Sequence, residues 1–159
     1  MIVGCPKEIK PQEYRVGLTP NAVKEISLHN HSVLIERNAG IGSGFSNEDY
    51  ISSGAKIIDE PEKLFLESEM IVKVKEPQKQ ERKLLREGQL LFTYLHLAPD
   101  LDQTKDLIKS KCTAIAYETV TDPFGRLPLL APMSEVAGRL APQVGAWALQ
   151  KANGGSGIL

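Results

Sequence analysis

Leu90-Leu91-Phe92-Thr93-Tyr94-Leu95-His96-Leu97-Ala98-Pro99 runs apolar for several residues and then presents an imidazole just before a proline. The run reads as a buried strand. Because side chains alternate along a strand, Leu90, Phe92, Tyr94 and His96 are expected on one face. Pro99 and Asp100 end it, and a helix-like segment follows from Leu101. In an open parallel sheet, ligands bind outside the carboxyl ends of the strands. A histidine placed there can take up and release a proton near neutral pH. On this stretch alone, a core histidine satisfied by its neighbours accounts for the sequence equally well.

Strands of the same kind recur on either side. Ile2–Cys5, Ser32–Glu36, Lys56–Ile58, Met70–Lys75 and Thr113–Tyr117 are short apolar runs bounded by turn residues. Helical segments separate them. Thr19-Pro20 supplies an N-cap and a first-turn proline for a helix over about Asn21–Leu28. Ser46-Asn47-Glu48-Asp49 caps a short helix that Gly54 stops, Pro61–Glu67 forms another, and a further one spans Asp100 to about Ser110. The charge run Lys79–Glu87, with leucines only at Leu84 and Leu85, reads as a solvated helix face, its acids interspersed with bases. This alternation predicts the α/β class: a mostly parallel twisted sheet with helices on both faces. Val33-Leu34-Ile35 and Ile115-Ala116 lack polar alternation, which fits burial on both faces. Right-handed crossovers then gather the loops after Cys5, Val74, Tyr94 and Tyr117 on one edge.

The end of the chain differs. A helical pattern runs from Ser134, a reasonable N-cap, to about Ala152, with Pro142 as a kink or break. Val136, Leu140, Val144, Trp147 and Leu149 form an apolar stripe along it, expected to be exposed unless something packs there. Asn153-Gly154-Gly155-Ser156-Gly157 follows without the strand before and helix after that a dinucleotide loop requires, so it reads as a helix C-cap and hinge. The expected organisation is a domain over 1–132 and an interdomain helix with a glycine-rich exit over 133–159.

Composition narrows the function classes. A chain of 159 residues suits one domain, able to bury roughly 70% of its unfolded surface. A net charge of −1 gives no bulk attraction to DNA, RNA or an anionic membrane. No apolar run reaches the ~20 residues that cross a bilayer, and MIVGCPKEIK at the N-terminus lacks a secretory pattern. Cys5 and Cys112 lie in or beside predicted strands with no metal-ligand spacing, as reduced core thiols would. His29 and His31 flank a helix-to-strand turn with no acid or cysteine at ligand spacing, so no metal is expected. Together these features lead us to expect a cytoplasmic protein.

Four charged residues join His96 at the predicted sheet edge. Arg15 lies in the loop after the first strand, where a guanidinium can bind a carboxylate through two bonds, although a lone arginine is also an ordinary surface charge. Lys75 ends the fourth strand and can polarise a carbonyl, or simply reach solvent. Glu118 and Asp122 follow the sixth strand and can orient a base or cap a turn. Arginine, lysine and histidine converging on one edge suit a small 2-oxo or 2-amino acid: carboxylate, oxo group or imine, and proton.

Five ordered motifs carry a resemblance: GCPKEIKPQEYRVGLTP over Gly4–Pro20, NAGIGSGFSNEDY over Asn38–Tyr50, IVKVKEP over Ile71–Pro77, FTYLHLA over Phe92–Ala98 and LLAPMSEVAGRLA over Leu129–Ala141. On these the chain resembles, over its whole length, the N-terminal part of alanine dehydrogenases, in the family shared with the proton-translocating nicotinamide nucleotide transhydrogenases. Transhydrogenase-like members generally lack the lysine and histidine that stand here as Lys75 and His96, which places the chain on the dehydrogenase side. The resemblance implies a Rossmann-like substrate domain and reversible oxidative deamination of L-alanine to pyruvate and ammonium with NAD. It implies that Arg15 and Lys75 bind substrate, that His96 is the acid/base, and that Met133 and Ser134 lie against NAD. It also implies a homo-oligomer, a hexamer in the family. A catalytic aspartate and a dinucleotide-binding domain would lie beyond Leu159, so the chain alone is expected to be inactive. Two other readings stand beside this one: an NAD-binding subunit fragment of a transhydrogenase, and a free-standing non-catalytic module that binds amino or oxo acids.

Overall fold

The computed structural model describes residues 1–157. It divides into two compact units, Met1–Tyr117 and Glu118–Leu159. In the first, six strands form one sheet: β1 (Ile2–Cys5), β2 (Ser32–Glu36), β3 (Lys56–Ile58), β4 (Met70–Val72), β5 (Leu90–Thr93) and β6 (Thr113–Ala116). Their order is β3-β2-β1-β4-β5-β6, and every pairing is parallel. The expected α/β architecture is the observed one. Between the strands run α1 (Pro20–Leu28), α2 (Asn47–Ser52), α3 (Pro61–Glu67), α4 (Lys79–Arg82) and α5 (Leu101–Ser110).

Both faces of the sheet are covered at β2, but the edge strand β6 is exposed through Thr113, Ala114 and Ile115, so the burial on both faces expected of Ile115-Ala116 is not found. Val33 and Ile35 of β2 pack with Val23 of α1 and Tyr50 of α2, while Leu34 between them packs on the other side with Leu64 and Phe65 of α3 and Leu107 of α5. Each such aliphatic side chain contributes about 1.5–3 kcal/mol by leaving water. The helix starts follow the sequence. Thr19 Oγ1 accepts from the Ala22 N–H at 3.2 Å, and Ser46 and Asp49 form a reciprocal capping box. Each cap of this kind contributes about 1 kcal/mol. β1 and β4 are neighbours whose following connections diverge, so the crevice at their carboxyl ends is the switch point where parallel sheets bind ligands.

Three other local expectations change. β4 ends at Val72, not Lys75, and β5 ends at Thr93, so the alternation expected to carry through His96 stops three residues short of it. The charge run supplies only the short α4, and one of its acids, Glu81, is buried rather than solvated. Cys5 is fully buried, and burial pushes its thiol up to about 12, whereas Cys112 is only half-buried.

The second unit contains α6 (Ala131–Leu149). It begins three residues before Ser134, which is therefore not its N-cap. The N–H groups of Ala131 and Ser134 bond to the carbonyls of Leu127 and Leu130 at 2.9 and 3.1 Å. Pro132 starts the helix because a first-turn residue needs no N–H. Pro142 sits inside α6 without breaking it, and among the described residues Val136, Leu140, Val144 and Trp147 are exposed. Gly154, at φ 82°, caps a short 3-10 turn over Lys151–Asn153. The last two residues of the expected exit, Ile158 and Leu159, lie outside the described residues. Asp122 caps a turn, one of its two expected roles: its carboxylate accepts from the Phe124 and Arg126 N–H groups at 2.8 and 2.9 Å.

Candidate functional site

Arg15 is carried by the loop that leaves β1. The loop turns tightly at Gln12, whose φ is 63°, and the Glu13 N–H closes the turn on the Lys10 carbonyl at 3.1 Å. Two glycines let it lie close to its supports. A Cβ on Gly17 would stand 2.8 Å from the Val72 carbonyl oxygen, and one on Gly42 would stand 2.5 Å from that of Tyr14. The glycine-rich turn after β2 therefore braces the loop directly, and the Ser43 hydroxyl also donates to the Tyr14 carbonyl at 3.1 Å. Glu13 grips the guanidinium through two bonds: Arg15 Nε donates to Oε1 at 2.8 Å and Nη2 to Oε2 at 2.6 Å. The hydrogen bonds from Arg15 pull the Glu13 carboxyl down to about 2 against the opposing effect of burial, and the Lys75 charge adds to that pull. The same pairing raises the pKa of Arg15. A cleft of ≈ 740 Å³ opens here, lined by Glu8, Lys10, Glu13, Arg15, Asn38 and Gly42 among others.

Lys75 follows the end of β4. The ladder from β1 runs out after Gly4 pairs with Ile71, and a carboxylate replaces it. Glu8 Oε1 accepts the Val74 N–H at 2.7 Å and the Lys75 N–H at 3.4 Å. On the opposite side, the Thr93 hydroxyl donates to the Lys75 carbonyl at 2.8 Å. Beneath this turn is a buried ionic cluster: Lys73 Nζ donates to Glu8 Oε2 at 3.2 Å and to Glu81 Oε1 at 2.7 Å. The three side chains are 0%, 2% and 6% exposed. Burial alone would push the Lys73 ammonium down, but the two carboxylates outweigh it and hold it up. Glu8 is raised, because burial penalises its charge and one ammonium cannot fully compensate two acids.

His96 arrives by a turn, not by strand alternation. Both neighbours of β5 stop near Thr93: β4 at Val72, and β6 at Ala116, after which Tyr117 enters a 3-10 turn. Tyr94 and Leu95 are both buried, and His96 is exposed with φ 49°. That left-handed conformation is uncommon outside glycine, and such outliers cluster at functional sites. Phe92, Tyr94 and Tyr117 meet edge-on, Tyr117 lying 4.3 and 4.9 Å from the other two rings, and the imidazole stacks on Tyr94 at 6.4 Å. Gln103, buried in the first turn of α5, donates its amide to the Leu95 carbonyl just before the histidine.

Arg15, Lys75 and His96 thus all sit at the carboxyl end of one sheet, linked through shared neighbours. Arg15 and Lys75 both help to lower the Glu13 carboxyl, and Tyr94, which lies against His96, is among the groups that raise Arg15. Met133 and Ser134 are in the first turn of α6 in the second unit, with Ser134 exposed there, and Glu118 opens that unit. The sequence reading missed Glu8, Glu13, Lys73, Glu81 and Gln103. One signal was available: a lysine inside a predicted buried strand has to be paired, because lysine is almost never fully buried alone.

The family profile described as alanine dehydrogenase/PNT, N-terminal domain, matches residues 4–137. The chain is 52% identical over its full length to an alanine dehydrogenase of Methanococcus maripaludis and covers 43% of that protein. To an alanine dehydrogenase of Bacillus subtilis it is 54% identical and covers 42%. A solved L-alanine dehydrogenase superposes on the whole chain with a TM-score of 0.91 at 50% identity, the chain covering 44% of it. A transhydrogenase from Sinorhizobium meliloti matches 74% of this chain and 34% of its own, with a TM-score of 0.70 at 25% identity. The chain belongs to the alanine dehydrogenase/PNT N-terminal domain family.

Proposed function

We propose that this member of the family is the substrate-binding part of a cytoplasmic, homo-oligomeric, NAD-dependent L-alanine dehydrogenase. On this reading residues 1–132 form the substrate-binding catalytic domain, and 133–159 are the interdomain helix and exit toward a dinucleotide-binding part. The chain spans less than half the length of the relatives it matches. Acting alone, it should form no NADH from L-alanine. The observation that carries the proposal is the placement of Arg15, Lys75 and His96 at the switch point of a parallel sheet.

The reaction converts L-alanine and water to pyruvate and ammonium. NAD, when bound, supplies the hydride acceptor; the first-turn side chains Met133 and Ser134 of α6 are those proposed to hold it, and an exposed hydroxyl at Ser134 fits a polar ligand. Arg15 takes the substrate carboxylate, as a guanidinium held in a fixed plane is suited to do. Lys75 faces the amino or oxo group and favours the developing oxygen charge of the carbonyl form. His96 accepts the proton of the water that adds to the imine carbon and returns it to the departing amine. Fifty per cent identity to a solved alanine dehydrogenase, against 25% to the transhydrogenase, favours the dehydrogenase chemistry.

The test is His96→Ala in the dehydrogenase that contains this chain. kcat for L-alanine oxidation should fall by about 10²–10⁴, the usual contribution of a positioned acid/base, with little change in thermal stability because His96 is exposed. An unchanged kcat would remove the acid/base role.

A further inference from the structure

We infer that Glu8 is a positioning residue for Lys75, the buried Lys73 ammonium holding its carboxylate in place of a missing strand partner. The inference rests on the reading of Lys75 as a substrate-binding residue. β4 has hydrogen-bonded neighbours on both sides only as far as β1 lasts: the pairing ends with Gly4 opposite Ile71, and β1 itself stops at Cys5, before Pro6. Past that point the chain of β4 would have unpaired donors facing an open crevice. Glu8 fills the gap with one oxygen on the Val74 and Lys75 N–H groups, at 2.7 and 3.4 Å, and its other oxygen on Lys73 Nζ at 3.2 Å. With the Thr93 hydroxyl on the Lys75 carbonyl, the peptide that launches the Lys75 side chain is held from both ends.

The division of labour among the three charges follows from their other bonds. Glu81 accepts the Gln78 N–H at 2.7 Å and so ties Lys73 to the start of α4. Glu8, unlike Glu81, is among the residues that line the cleft holding Arg15. A buried ion cluster gives little net stability compared with apolar residues of the same volume. Its placement is better explained by the geometry that it enforces.

A glutamine at position 8 keeps the shape but points an N–H₂ donor at the Lys73 ammonium or at the backbone N–H groups. The E8Q dehydrogenase should therefore show a pyruvate KM raised about tenfold, with the NADH KM within about twofold of wild type. A merely structural role would lower kcat through a smaller active fraction and leave both KM values alone; that result, or no change, overturns the inference. If E8Q does not accumulate, E8D keeps the charge, withdraws the carboxylate by one methylene, and should show the same split at about threefold. K75A is measured alongside. A pyruvate KM and kcat unaffected by K75A would defeat the reading of Lys75, whereas an impaired K75A with a normal E8Q would defeat only the role of Glu8.

Discussion

Lys73 and Lys75 stand two positions apart at the end of β4, yet their surroundings share almost nothing. Lys73 is wholly buried and fully engaged by two carboxylates before any ligand arrives. Lys75 is half-buried, and its backbone, not its ammonium, is what the fold secures. Strand alternation would put both on one face. β4 ends at Val72, however, and the chain bends at Val74 and Lys75, so the pleat does not carry through to Lys75. A cation's role is set by what compensates its charge within the fold: carboxylates of its own chain make it structural, while a fixed backbone at a crevice leaves it available to substrate.

The sharpest way to break this comparison is K73M. Removing the ammonium leaves Glu8 and Glu81 as uncompensated buried acids, and breaking a buried ion pair from one side costs about 3–5 kcal/mol. Denaturant unfolding should show that loss at neutral pH. It should shrink in acid, where the stranded carboxylates protonate. A loss under about 1 kcal/mol at neutral pH would mean that Lys73 is not needed for compensation. K75A should do the reverse. Stability should move by no more than about 0.5 kcal/mol, while kcat/KM for pyruvate falls by about 10–100-fold, corresponding to one lost hydrogen bond from a charged group. Equal stability losses in the two variants would erase the distinction.

The fold was legible because its cues are local and mutually consistent. The apolar runs of β1, β2 and β3 are bounded by glycine, proline or a capping residue, and strand-helix alternation leaves few topologies open. That Arg15, Lys75 and His96 follow β1, β4 and β5 at the carboxyl end of the sheet was legible for the same reason, because the strand order alone puts those connections on one edge. What surrounds them was not. Strands β4 and β5 end early because their neighbours end, and one strand's sequence does not show where its neighbours stop. Glu8 meets Lys73 across 65 positions, and Glu81 sits in a run whose mixed charges look solvated. The start of α6 was misplaced because Ser134 looks like a cap, while Leu130 at the real boundary makes no side-chain cap bond.

The smallest expected effect concerns Glu13, which stands to Arg15 as Glu8 and Glu81 stand to Lys73, but with an exposed cation. Its carboxylate occupies one edge of the guanidinium, so the pair resembles the buried cluster in chemistry while remaining open to water on the arginine side, 47% exposed. Solvent weakens such a pair, and its share of stability should be under about 1 kcal/mol. The sign of the pH dependence follows from the depressed carboxyl. Folding lowers Glu13 from 4.5 to about 2, so its contribution is complete above about pH 4.5 and is lost as the pH falls from there through about 2. E13Q should therefore be slightly less stable than wild type near neutrality and should converge with it in acid. Kinetically, E13Q frees the guanidinium plane and should raise the pyruvate KM by roughly threefold, the scale of a partly exposed charged pair. An E13Q protein whose stability deficit persists unchanged at pH 2 would show that Glu13 acts through packing, and that its pairing with Arg15 does not extend the charge logic of the Lys73 cluster to the surface.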